Sequence, residues 1–370
     1  MKRTGNSREN SKAQIVRYIQ ENGNASKVEI SKVLNLSMPT VLQNTKELLE
    51  QGIVEEAGEY ESTGGRKAKS LVIHGDAAYA LGLDITANHI SLVFVNLVGE
   101  VLNSQRKRKT FQNSPDYYRE LATELDDFCA VSRVSSERIL GIGISLPGIV
   151  DNQNKVLLKS HALKLENVSL RIMEQLMPFP AYFENDANAA MVAEKNHLKE
   201  DAVYLSLSNT VGGAICMNGS LFRGNSQKAG EFGHMIIVPG GRPCYCGKKG
   251  CADAYCSPLV LTSATGDTLE SFMERVNRRE SQALSVWEEY LDYLAIVITN
   301  LRMAYDTNII LGGYVGGYME GHMFELGKKV LAYNLFDSDV SYLKNCIYKK
   351  EGSAVGAAWH FIDKFVGQLR

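Results

Sequence analysis

The chain has 370 residues, 45% of them hydrophobic, and a formal net charge of −2. At roughly 100–200 residues per domain this predicts two or three domains with sizeable cores, and the near-neutral balance excludes a surface that is basic throughout. The first 74 residues carry a net +2 and the remainder −4, which permits nucleic-acid binding at the N-terminus without requiring it.

Residues 12–22 (KAQIVRYIQEN) place Ile15, Val16 and Ile19 on one helical face, and Gly23 ends that helix. A second short helix over 27–34 turns Ile30, Val33 and Leu34 inward. Ser37 is suited to cap a third helix over 38–50, and Pro39 falls in its first turn, where a missing N–H costs little. Val41, Leu42, Thr45, Leu48 and Leu49 form its inner face, and Gly52 stops it. Ile53-Val54 opens a strand, Gly58 turns it, and Lys69–Ile73 returns. Three helices and a two-stranded wing make a winged helix-turn-helix, here residues 1–75. Its third helix presents Thr40, Gln43 and Asn44 outward beside Ser37, and amide side chains can pair with adenine in a major groove. A solvated helix face is the plain alternative. In the wing, Gly64 and Gly65 precede Arg66 and Lys67. Glycines allow close backbone approach and arginine favours a narrow minor groove; a flexible linker is the alternative there.

From Tyr79 the pattern becomes that of an α/β body over 76–370. Strands are expected at 80–85, 91–97, 139–146, 181–183, 203–207, 213–217 and 308–311, with helices at 115–132, 187–196, 257–265, 285–305 and 353–366. No apolar run approaches the roughly 18 residues of a membrane span, and the polar stretch 1–10 does not read as a secretory signal. Four of the seven cysteines crowd between Cys244 and Cys256. Clustered thiols in a chain without an export signal read as reduced, with metal binding to be considered.

Several segments together resemble the ROK family of repressors and sugar kinases. These are LNLSMPTVLQNTKELLEQGIVEE with STGGRK in the head, and GIGISLPGIVD (141–151), ENDANAAMVAE (184–194), NGSLFRGNSQKAGEFGHM (218–235) and CYCGKKGC (244–251) in the body. The resemblance implies a two-lobed, actin-like sugar-kinase fold with sugar bound in a cleft. The lobes are expected at about 76–190 with the C-terminal helix and about 191–350. It further implies that His234, Cys244, Cys246 and Cys251 hold one structural Zn²⁺ per chain, and one imidazole with three thiolates suits a closed tetrahedral shell. Ordinary reduced surface cysteines are the alternative. Cys256 is left as a spare, packed thiol.

By the same resemblance Asn185, Asp186, Glu231, His234 and Asp253 bind the sugar, with His161 a further pocket candidate. Asp186 stands where the kinases carry their general base. Asp253 replaces a family glutamate and is one methylene shorter. The phosphate loops depart from the kinase pattern. An Asp-x-Gly-x-Thr turn is replaced by Asp84-Ile85-Thr86-Ala87-Asn88, and a Gly-Thr-Gly-x-Gly loop by Ser208-Asn209-Thr210-Val211-Gly212. The adenosine-side run survives only as Gly312-Gly313-Tyr314. Added side chains obstruct the approach of backbone N–H groups to phosphate. The expectation is therefore a cytoplasmic, sugar-responsive regulator without kinase activity. It binds operator DNA as a homodimer or homotetramer and has no membrane contact. The alternative is an ATP-dependent hexose or amino-sugar kinase with a DNA-binding head; a zinc module that docks a protein partner is a third reading.

Overall fold

A computed structural model describes residues 10–59, 69–132, 134–198, 200–266 and 268–369. Gly64, Gly65, Arg66 and Lys67 of the wing lie outside the described residues. The chain divides into two compact units, one of 1–145, 170–183 and 357–370, the other of 146–169 and 184–356.

The first unit begins with helices Ser11–Asn22, Lys27–Val33 and Met38–Glu50 and the antiparallel hairpin Val54–Glu59/Lys69–Ile73. Each helix starts where a polar side chain takes up an orphan N–H: Asn10 from Lys12, Ser26 from Glu29, Ser37 from Thr40. Ile15, Ile19, Ile30, Val41, Leu48 and Leu71 are fully buried between them. Two inward expectations are corrected. Val33 is 56% exposed and Leu42 49%, because helices this short bury only a narrow seam, and Leu34 and Leu49 are half-buried at its edge. Gly58 does not turn the hairpin either. It lies inside its strand at φ +63°, where the register shifts between Glu56 and Glu59, as in a bulge.

A five-stranded sheet follows, in the order Ala181–Asn185, Ile139–Leu146, Tyr79–Ile85, His89–Asn96, Val101–Arg108. Tyr79–Ile85 runs parallel to Ile139–Leu146 and antiparallel to His89–Asn96, which is antiparallel to Val101–Arg108. The C-terminal helix Gly352–Gly367 passes so close that a Cβ on Gly143 would fall 1.9 Å from the Ala357 carbonyl oxygen. The head is tied to this body: Arg17 Nη1 donates to Asp363 Oδ1 at 2.7 Å and Gln20 Nε2 to the Leu97 carbonyl at 2.8 Å.

The second unit repeats the plan in the order Ser220–Leu221, Val211–Met217, Ala202–Leu207, Asn308–Gly312, Leu343–Asn345. Again three antiparallel strands lead to a parallel neighbour. Helix Ser281–Tyr305 packs Trp287, Leu294, Ile298 and Leu301 into one core with Leu205, Ile309 and Leu311. The unit also holds elements absent from the sequence reading: a small sheet of Ile149–Asp151, Val156–Ser160 and Leu165–Ser169, and the helices Leu269–Asn277 and Met323–Tyr333. A winged helix-turn-helix followed by a duplicated α/β sheet of this plan is the expected fold class. No helix among the described residues is long and apolar enough to cross a membrane.

Candidate functional site

On the third head helix Gln43 is exposed, and Thr40 and Asn44 are half-buried. Ser37 Oγ lies 2.7 Å from Thr40 Oγ1, so the cap residue and the first outward side chain are already coupled. The Gln43 amide donates to Glu47 one turn on.

The second unit carries an open recess whose lining includes Gly148, Asn185, Asp186, Gly212, Gln227 and Glu231. Asn185 ends a strand and caps the helix Asp186–Lys195. Its Oδ1 accepts from Asn188 N at 2.9 Å, and its Nδ2 donates to the Gly148 carbonyl at 2.9 Å and to Asp186 Oδ1 at 3.1 Å. Behind it Glu184, only 3% exposed, receives both prongs of Arg223, at 2.7 and 2.6 Å. The fork holds the 218–235 segment, which brings Glu231, to the strand end that brings Asn185 and Asp186. Glu231 keeps 44% of its side chain open. Even so, partial burial against the recess wall pushes its carboxyl above the usual range, with Lys228 opposing.

His234 closes the short turn Phe232–His234. Its Nδ1 lies 3.8 Å from Cys244 Sγ, Cys246 Sγ lies 3.7 Å from Cys251 Sγ, and all four donor atoms fall within 4.8 Å of one another. Around a tetrahedral zinc with bonds of about 2.0–2.3 Å, such atoms sit roughly 3.5–3.8 Å apart. The set can therefore hold a metal ion with only a small contraction. Gly247, at φ +90°, makes the tight turn that lets Cys244 and Cys246 face the same point. Burial pushes the Cys244 thiol up to about 12, so a metal must displace a firmly held proton there. Cys256 is buried outside the set.

The other ring nitrogen of His234 turns towards the recess. Nε2 lies 3.3 Å from the Tyr245 hydroxyl and 3.9 Å from Glu231 Oε2. The structure thus brings Asn185, Asp186 and Glu231 together and sets His234 at the Glu231 edge. Asp253 is not in the recess lining. It is buried, and its Oδ1 accepts from Val211 N at 2.7 Å, directly behind Gly212 of the wall. Burial pushes its carboxyl up to about 6, against the Val211 hydrogen bond. Arg223 and Tyr245 are absent from the sequence reading.

The segments that depart from the kinase pattern make local internal hydrogen bonds. Asp84 is buried, accepts from the Ser145 hydroxyl, and is pushed upward by desolvation. Thr86 folds back on His89, with Oγ1 3.0 Å from its carbonyl and 3.1 Å from its N–H. In the second unit Gly313 N donates to the Tyr204 hydroxyl at 3.2 Å. A Cβ on Gly313 would fall 2.6 Å from Ser208 Oγ, so Ser208 packs directly against Gly313.

The ROK family profile matches residues 80–364, and that of winged helix-turn-helix DNA-binding domains matches 9–55. The xylose repressor of Bacillus spizizenii is 26% identical over 310 residues, 80% of each chain. A solved ROK family transcriptional regulator, described as a homologue of the E. coli MLC protein, superposes with a TM-score of 0.76 at 20% identity over 96% of both chains. A ROK family glucokinase from Streptomyces griseus, solved with glucose and AMPPNP, gives a TM-score of 0.61 at 23% identity over 76% of this chain and 99% of that one. With the family profile running from the first body strand into the C-terminal helix, this chain belongs to the ROK family and carries a winged helix-turn-helix at its N-terminus.

Proposed function

We propose that the chain is a sugar-responsive repressor of carbohydrate-utilisation genes. The observation that carries this reading is the contrast inside the body. Asn185, Asp186 and Glu231 keep an open recess of hydroxyl-binding groups, while Gly313 N–H is engaged by Tyr204 and Asp84 by Ser145. Such a recess suits sugar hydroxyls, and the segments that carry phosphate in the kinases lack their glycines here, which supports sensing without phosphorylation. Asp186 then serves as an acceptor, not a base. His234 and Asp253 are proposed to complete the sugar site from outside the recess lining, His234 through its Nε2 side beside Tyr245 and Glu231, and Asp253 through the carboxylate whose Oδ1 also accepts from Val211 N.

One structural zinc per chain, held by His234, Cys244, Cys246 and Cys251, would fix this loop; what it supplies when bound is a rigid geometry. The head, residues 1–75, reads an operator through Thr40, Gln43 and Asn44 beside Ser37, and the wing residues Gly64, Gly65, Arg66 and Lys67 reach the backbone or minor groove. The body, residues 76–370, senses the sugar. Paired half-sites call for a homodimer or homotetramer, and work on a bacterial operator places the protein in the cytoplasm. Asp186 favours the second reading, a sugar kinase.

The test uses purified protein, an operator selected from random-sequence DNA, and ATP with Mg²⁺. We expect no phosphorylation of D-xylose, D-glucose or N-acetyl-D-glucosamine above background, and a sugar-dependent change in operator affinity. Gln43→Ala or Asn44→Ala should cost roughly 1–3 kcal/mol of discrimination between operator and random DNA. Robust phosphorylation that vanishes in Asp186→Asn overturns the regulator reading.

A further inference from the structure

Three rings gather at the cysteine loop, next to Glu231 of the recess lining. Tyr245 stands between Cys244 and Cys246, His234 ends its turn, and His161 follows the strand Val156–Ser160. Ring centroids are 5.0 Å apart for His161 and Tyr245, 5.3 Å for His234 and Tyr245, and 6.3 Å for the two histidines. Two separate connections bring this cluster to the recess. Glu231 lines the recess and also lies 3.9 Å from His234 Nε2. Gly148 lines it too, and a Cβ there would fall 2.9 Å from the Cα of Ser160, the neighbour of His161.

The geometry orders the donors. Nδ1 of His234 faces Cys244 Sγ, so its Nε2 carries the hydrogen whenever Nδ1 is a ligand. Nε2 lies 3.3 Å from the Tyr245 oxygen. A phenol that accepts from an imidazole keeps its own hydrogen to donate. Tyr245 is 47% exposed, so it can offer that hydrogen to a ligand, whereas Nε2 of His234 is occupied by Tyr245 itself.

We infer that Tyr245, backed by His161, is a direct and specificity-determining sugar contact. Its hydroxyl reads a sugar oxygen beside Glu231 in the place expected of the His234 imidazole. The rings of Tyr245 and His161 form a wall for the apolar face of an aldopyranose. Aromatic side chains with a polar tip suit such a ligand, since one part is apolar and the other wet. The inference rests on the sugar-binding reading and refines it.

Calorimetric titration of the full chain with D-xylose, D-glucose and N-acetyl-D-glucosamine tests it, together with zinc content and the sugar-free melting temperature. Tyr245→Phe keeps the ring and loses the hydroxyl. It should bind the preferred sugar about tenfold more weakly, as expected for one lost hydrogen bond to a ligand, with zinc content and melting temperature unchanged. His161→Ala should also weaken binding at unchanged zinc content. Wild-type affinity in Tyr245→Phe overturns the inference alone. So does a loss of affinity that comes only with loss of zinc and a lower melting temperature, since that marks a structural role. A wild type that binds none of the three sugars overturns the sugar-binding reading and this inference with it.

Discussion

Glu184 is a carboxylate almost shut off from water, and the two prongs of Arg223 make that position tolerable. Removing one member of a buried pair leaves an uncompensated charge and costs roughly 3–5 kcal/mol. Arg223 is 29% exposed on its side chain, which puts Arg223→Met towards the lower end of that range. Urea unfolding should show the drop, and sugar affinity should fall with it, because Asn185 N donates to Glu184 Oε1 at 2.9 Å. An unchanged unfolding midpoint would mean that the Asn185 N–H and other neighbours suffice to hold the carboxylate. Arg223 sits 39 positions from its partner, a pairing that no local spacing reveals. Tyr245 was equally hidden, since a residue between two cysteines reads as a spacer. Asn185, Asp186, Glu231 and the four donors of the candidate metal set could be picked out beforehand because each sits in a short motif whose neighbours identify it, and the structure brings each group together.

The helix Met38–Glu50 was legible to the residue, because Ser37 caps it and Pro39 opens it. The strand Ile139–Leu146 was legible as a strand, but its glycines were not explained by the sequence. Gly143 is there because the C-terminal helix crosses it, with Ala357 O where a Cβ would go. Gly143→Ala should therefore destabilise the protein by roughly 1–3 kcal/mol, the usual cost of overpacking. Gly321→Ala is the control, since a Cβ there meets nothing within 4 Å. Thermal unfolding of the two variants side by side checks this, and equal melting temperatures would sink the account. The small sheet of Ile149–Asp151, Val156–Ser160 and Leu165–Ser169 escaped notice for a physical reason. Its strands have three to five residues, too few to establish an alternating pattern. Lys155, Lys164 and Asn167 also take positive φ where a sequence signal would call for glycine.

At the scale of the whole chain, the metal set belongs to one unit and the reader head to the other. The head closes its own core around Ile15, Ile19, Ile30, Val41 and Leu48, so it does not depend on the cysteines to fold. A metal variant should thus separate sensing from DNA binding. Cys246→Ser removes one of four donors, and a shell completed by water holds zinc less tightly. His234 then loses the anchor on Nδ1 that aims Nε2 at Tyr245 and Glu231. Metal analysis should find about one zinc per wild-type chain and a clear deficit in the variant, with a lower melting temperature. In a mobility-shift titration the variant should still retard operator DNA, while added sugar no longer changes its affinity. Wild type purified without chelators and free of zinc would remove the site. A zinc-free variant that still responds to sugar would leave the site in place and break its link to the effector.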